Sequence, residues 1–223
     1  MSTAATTTVD IEPQGTARSS IIWMHGLGAD AHDFEPIVPY LQIPPAIGLR
    51  FIFPNAPIRP VTINNGMRMR AWYDISGTDI PRSEDAAGVR ESERIVLELI
   101  DREKERGIPA ERIVLAGFSQ GGAIALHTGL RYPAKLAGLL ALSCYIPLVK
   151  SLKAERHPVN QAIPIFMAHG TLDPMVPIQY GRAADRQLRA LGYPIEHHEY
   201  PMGHEVNWEE RQDIGNWLRR VLA

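Results

Sequence analysis

The sequence holds a single cysteine, Cys144, among 223 residues. That excludes an internal disulfide framework and any multi-cysteine zinc site. It fits a reducing compartment, so a cytoplasmic location is the expectation. Long hydrophobic runs are also missing. The longest, 136–142, is strand-sized and interrupted by Gly138, whereas a membrane helix needs roughly 18 apolar residues. No stable membrane insertion is therefore expected. The first residues lack a basic cluster ahead of an apolar stretch, which argues against a secretory signal. Ser2 rather than glycine follows Met1, which argues against N-terminal lipidation. An excess of one charge is absent too. The 23 basic residues face 25 acidic ones, a net charge of −2, so a nucleic-acid partner is not expected. No fixed-period repeat is visible, which excludes a solenoid or propeller.

What remains is an ordinary globular composition, 45% apolar and 22% charged, in a chain long enough for one well-buried core. Residues 1–18 are rich in Ala, Thr and Ser. They are expected to form a flexible arm, with a short edge strand near Val9 to Glu12, ahead of a single domain over 19–223. Short apolar runs then alternate with longer amphipathic ones. Strands are predicted at 21–24, 49–53, 112–116, 138–143, 163–168 and 195–200. Helices are predicted over 85–106, 121–132 and 179–191, with a last one beyond Asn207. In the first helix Val89, Val96, Leu99 and Ile100 share a face with one polar residue, Glu103. Asn207 is a candidate N-cap, with Glu210 three residues later as in a capping box. Strand followed by helix, repeated, predicts an α/β fold with a mostly parallel sheet covered by helices on both faces. Ligands of such sheets bind beyond the carboxyl ends of the strands.

One of those ends reads Gly117-Phe118-Ser119-Gln120-Gly121 between a predicted strand and a predicted helix. Gly-x-Ser-x-Gly in that setting is a nucleophile elbow, in which a sharp turn lifts the serine hydroxyl above the sheet at a helix N-terminus. Chemistry at Ser119 needs a base, and the base needs an orienting carboxylate, following in the order Ser, Asp, His. Asp173 lies in a loop bounded by Gly170 and Pro174 after one strand, and His204 in the loop after the next. His127, His169, His197 and His198 are poorer bases by position. The loop His25-Gly26-Leu27-Gly28 leaves the first strong strand. There the Leu27 N–H, with that of Gln120, is placed to hold an oxyanion. The same glycines imitate a dinucleotide fingerprint, but no acidic residue ends the next strand at Phe53-Pro54-Asn55. His204-Glu205-Val206-Asn207-Trp208 lacks the second histidine of a zinc-protease helix, and no phosphate loop exists. Neither metal nor cofactor is expected.

The runs HGLGADAHDFEPIVPYL, FPNAPIRPVTINNGMRMRAWYDI, GFSQGG, HGTLDPMVP and PMGHEV together resemble the phospholipase/carboxylesterase family of α/β-hydrolases, in particular bacterial carboxylesterases related to acyl-protein thioesterases. The resemblance runs from about residue 20 to the C-terminus. It implies an α/β-hydrolase fold without a large lid domain. It implies cleavage of carboxylic esters, and sometimes thioesters, through an acyl-enzyme formed on Ser119, with Asp173, His204, Leu27 and Gln120 in the roles above. The expected activity is that of a carboxylesterase on small to medium acyl chains. The alternative is an acyl-protein thioesterase or lysophospholipase-like hydrolase. Homodimers occur in the family, so a dimer is an implied possibility. The long connection 55–80 holds Met67, Met69 and Trp72, which either line an acyl groove or form the loop's own core. Cys144, at a strand's carboxyl end, is either a small buried residue or an oxidation-sensitive thiol beside the acyl pocket.

Overall fold

The computed structural model describes residues 6–77 and 84–223. Residues 78–80 of the long connection and 1–5 of the N-terminal arm lie outside them. Seven strands form one sheet: β1 (Thr8–Ile11), β2 (Ser19–Met24), β3 (Leu49–Pro54), β6 (Ile113–Phe118), β7 (Gly138–Leu142), β8 (Ile165–Gly170) and β9 (Ile195–Tyr200). Two more, β4 (Ile58–Val61) and β5 (Met67–Arg70), make a separate hairpin. The sheet order is β1-β3-β2-β6-β7-β8-β9. All its pairings are parallel except β1 with β3.

Alternation along the strands explains the layers, because successive side chains point to opposite faces. Ile22 and Met24 of β2, Leu115 of β6 and Met167 of β8 join one core. That core packs against α1 (Ala86–Glu105), α2 (Gln120–Arg131), α3 (Val149–Glu155) and α4 (Ile178–Ala190). Ile21, Trp23, Val114, Ala116 and Phe166 face the other way, toward α5 (Trp208–Val221) and the 3-10 segment Glu35–Leu41. The strands are buried on both faces, which is why they read as continuous apolar runs.

The helix signals act as read. The Asp85 carboxylate caps α1 by accepting the N–H of Gly88. Glu103, the polar member of its buried face, has no exposed surface. It accepts from Ser20 Oγ at 2.6 Å, Arg50 Nη1 at 2.8 Å and Arg106 Nη1 at 2.9 Å, so its charge is paired where β2, β3 and α1 meet. The same arginines reach the N-terminal segment. Arg106 bonds Asp10, and Arg50 bonds Glu12. The edge strand expected near Val9 to Glu12 is present at Thr8–Ile11, paired with β3.

The connection expected over 55–80 is more ordered than a bare loop. Asn65 and Gly66 both take positive φ, 55° and 74°, and turn β4 back onto β5 with the register Val61 to Met67.

Candidate active site

The sheet order sets the site's position. The chain steps from β2 outward to β3, then returns to the other side of β2 as β6. The loops after β2 and β6 therefore diverge, and the crevice between them is where such sheets bind ligands. Leu27 follows β2 and Ser119 follows β6.

Ser119 sits at φ 55°, ψ −119°, a conformation uncommon for a residue with a side chain. The neighbouring glycines permit it. A Cβ on Gly121 would lie 2.2 Å from the Met24 carbonyl oxygen, and one on Gly117 would lie 2.1 Å from the Gly121 carbonyl carbon. The strain is held by the Ser119 N–H donating to Leu142 O at 2.8 Å. Beyond Ser119 the chain enters α2, whose first N–H groups have no intrahelical acceptor.

The structure brings Asp173 and His204 together. His204 Nδ1 lies 2.6 Å from Asp173 Oδ2. The other carboxylate oxygen, Oδ1, accepts the N–H groups of Met175 and Val176, each at 2.8 Å. Asp173 is buried, and its loop is tied to the neighbouring one through Leu172 N to Met202 O at 3.0 Å. With one oxygen committed to the backbone, the other is aimed at the imidazole. The Phe118 ring packs against His204, centroids 4.6 Å apart. His169 is a structural residue: it bonds Val176 O through Nε2 at 2.7 Å, and burial lowers its pKa.

Ser119, Gln120, Leu27 and His204 all line one cavity of about 530 Å³. Its far wall is apolar, with Ile63, Met69, Ile75, Met175 and Val176. Tyr73 and Tyr145 also face it, their hydroxyls 2.8 Å apart. Burial pushes the Tyr145 phenol up to about 12 and raises that of Tyr73, so both stay neutral.

Of the three residues offered as groove lining or loop core, Met69 lines the cavity, Met67 is exposed and Trp72 does not reach the cavity. Trp72 is fully buried. Its indole N–H donates to His25 O at 2.9 Å, and its backbone N–H donates to Gln120 Oε1 at 3.0 Å. An indole whose N–H is matched inside the protein stays inside. Gln120 Nε2 completes the clamp by donating to Tyr73 O at 2.9 Å. His25 in turn accepts the Ala56 N–H at Nε2 and donates from Nδ1 to Gly26 O; burial lowers its pKa and keeps it neutral. Cys144 is buried behind the start of α2, 3.0 Å from where a Cβ on Gly122 would stand. Burial raises its thiol pKa, and it is a packing residue, not a thiol beside the acyl pocket. Tyr145 and Met175 went unpredicted as wall residues. Tyr145 follows β7 and Met175 follows Asp173, so their positions beyond strand ends carried the signal.

Among the described residues no helix is long and apolar enough to cross a membrane. Comparison with known proteins agrees with the fold. The family model described as phospholipase/carboxylesterase matches residues 6–222. Acyl-protein thioesterase 1 of Neurospora crassa is 42% identical over 92% of this chain and 87% of its own. Acyl-protein thioesterase 1 of Mycosarcoma maydis is 37% identical over 96% and 97%. The crystal structure of Arabidopsis thaliana SOBER1 superposes with a TM-score of 0.87 at 34% identity, covering 93% of this chain and all of that one. Zea mays acyl-protein thioesterase 2 gives 0.87 at 28% identity, over 97% and 99%.

Proposed function

The chain belongs to the phospholipase/carboxylesterase family of α/β-hydrolases, which makes it a hydrolase of esters or thioesters, and we propose that it is a serine thioesterase of the acyl-protein type. The single observation that carries the chemistry is the 2.6 Å bond from His204 to a buried Asp173, on the cavity that also holds the strained Ser119. The names of its relatives favour the thioester over the simple ester. The general carboxylesterase reading shares every step and differs only in the leaving atom.

In this reading His204 Nε2 takes the Ser119 proton as Oγ attacks the acyl carbonyl. Asp173 holds the imidazole in the tautomer with hydrogen on Nδ1 and stabilises the imidazolium. The Leu27 and Gln120 N–H groups face the developing oxyanion, where one such donor is worth roughly 100- to 1,000-fold in rate. The C–S bond then breaks, and the imidazolium proton goes to the departing sulfur. Water activated by His204 attacks the acyl-serine and releases the acid. The acyl chain lies along the apolar wall near Met69.

The test is paired hydrolysis of S-octanoyl and O-octanoyl substrates by the wild type and Ser119→Ala. Turnover by the wild type that collapses in the folded variant supports the serine mechanism. A higher kcat/KM on the thioester supports the thioesterase. A thioester disadvantage returns the assignment to a general carboxylesterase.

A further inference from the structure

His204 has a second cavity on its other side. It encloses about 520 Å³ and shares His204, Phe118 and Asp33 with the acyl cavity. Its remaining walls come from the segment Glu35–Leu41 and from the chain between His204 and the first turns of α5, including Tyr40, Glu205 and Arg211. The two chambers differ in chemistry. Apart from the shared Asp33, the first is walled mainly by Ile, Met and Tyr, whereas the second adds Glu205 and Arg211 to Phe34, Ile37 and Val206.

The scissile bond lies at His204, because the imidazole must reach both the serine and the departing atom. An acyl chain filling the apolar chamber leaves the other chamber for the leaving group. The guanidinium there packs against protein: Arg211 Cζ lies 5.5 Å above the Tyr40 ring, and its Nη2 donates to Val206 O at 3.2 Å, while its Nε is buried without a partner among the described residues. The carboxylates are not committed. Neither Asp33 nor Glu205 has a side-chain hydrogen bond or ion pair among the described residues. Asp33 stands at the junction of the chambers, lining both. Asp33 is solvent-exposed, and desolvation by its surroundings and the neighbouring Asp30 charge both raise its pKa.

We propose that this second chamber is the leaving-group subsite, and that Asp33, with Glu205, selects an acylated cysteine flanked by lysine or arginine. The inference rests on the thioesterase reading above and adds which side of the substrate is read by charge. The cation pairs with Asp33 only while the peptide is attached, so the contact favours binding of the thioester and is screened by salt.

The experiment compares S-octanoyl tripeptides with Lys, Ala or Glu on both sides of the cysteine, at low and at high salt. The readout is the ratio of kcat/KM values within each enzyme variant. The wild type is expected to favour the Lys peptide over the Ala peptide by about five- to ten-fold at low salt, the size of one exposed charge pair. Salt should erase the preference. Asp33→Asn should bring the ratio close to one, Glu205→Gln should lower it less, and Arg211→Gln should raise it. Normalising to the Ala peptide removes any general loss from a poorly folded variant. Equal ratios in wild type and Asp33→Asn overturn the subsite while leaving the thioesterase standing. Failure of folded wild type to hydrolyse any of the three thioesters overturns both.

Discussion

Trp72 and Gln120 hold each other in place: the Trp72 backbone N–H donates to Gln120 Oε1 at 3.0 Å. Through its indole, Trp72 also grips the carbonyl of His25, two residues before Leu27. One buried residue, through its indole and its backbone N–H, thus couples the two loops whose N–H groups face the proposed oxyanion. Gln120→Ala removes both of its side-chain bonds and leaves a Trp72 N–H and a Tyr73 carbonyl unmatched. The expected result is a fall in kcat of about 10- to 100-fold with KM little changed, since a loosened donor acts on the transition state. Steady-state kinetics on one thioester checks it. A change confined to KM would place Gln120 in substrate binding instead.

Asp173→Asn keeps the shape of its loop, because the amide oxygen can still accept from Met175 and Val176. Its NH2 then faces His204 Nδ1, which must become the acceptor. The proton moves to Nε2, the nitrogen that has to receive the Ser119 proton. A loss of about 1,000- to 10,000-fold in kcat is expected, the size seen where a triad carboxylate is neutralised in another hydrolase. Circular dichroism and thermal melting should show an intact fold. A loss below ten-fold would mean that His204 does not depend on Asp173.

Most of this site was legible in the sequence because its geometry is local. Gly117 and Gly121 fix the turn around Ser119, and the loops after β8 and β9 can hold Asp173 and His204 only at the carboxyl edge. The hairpin β4-β5 had a signal that went unread. Asn65-Gly66 is a turn pair, and Met67, Met69 alternate with Arg68, Arg70 at the strand period. Helix α3 had none, since Leu152 is its one buried residue and a single position makes no stripe. Trp72 was ambiguous for a different reason. An aromatic in a loop reads as wall or core alike until the partner of its N–H is known, and that partner, His25, is 47 residues away. The second chamber is likewise long-range, because the segment Glu35–Leu41 packs on α5 from the far end of the chain.

Two glycines in contrasting settings separate crowding from backbone strain. Gly121 has a backbone oxygen 2.2 Å from its would-be Cβ, and backbone cannot move aside as a side chain can. Gly66 faces open space but has φ 74°. Gly121→Ala should cost more than about 4 kcal/mol and yield little soluble protein. Gly66→Ala should cost about 1–2 kcal/mol for its left-handed backbone, a melting temperature lower by several degrees. Differential scanning fluorimetry of both variants decides. Similar melting points would mean that the approach of α2 to β2 is not close enough to exclude a methyl group.

Glu210 should make stability fall as pH rises. It sits three residues after Asn207, whose side chain caps α5 by accepting the Glu210 N–H at 2.8 Å. The reciprocal half of the capping box is missing: both carboxylate oxygens are buried with no hydrogen-bond partner among the described residues. A helix N-terminus favours a negative charge by up to about 2 kcal/mol. Burial opposes that and wins, pushing the Glu210 pKa up to about 8 from an ordinary 4.5. The folded protein therefore keeps a proton that the unfolded chain releases near pH 4.5. Its contribution is whole below that pH and is lost progressively as pH climbs to about 8. Glu210→Gln cannot titrate, so its stability relative to wild type should rise across that window, by on the order of a few kcal/mol at its upper end. Below pH 4 the difference should become constant. Urea unfolding of both proteins at pH 4, 6 and 8 measures it. A difference that does not change with pH would show that the Glu210 carboxyl is ionised in the folded protein, with a cation or water matching its charge.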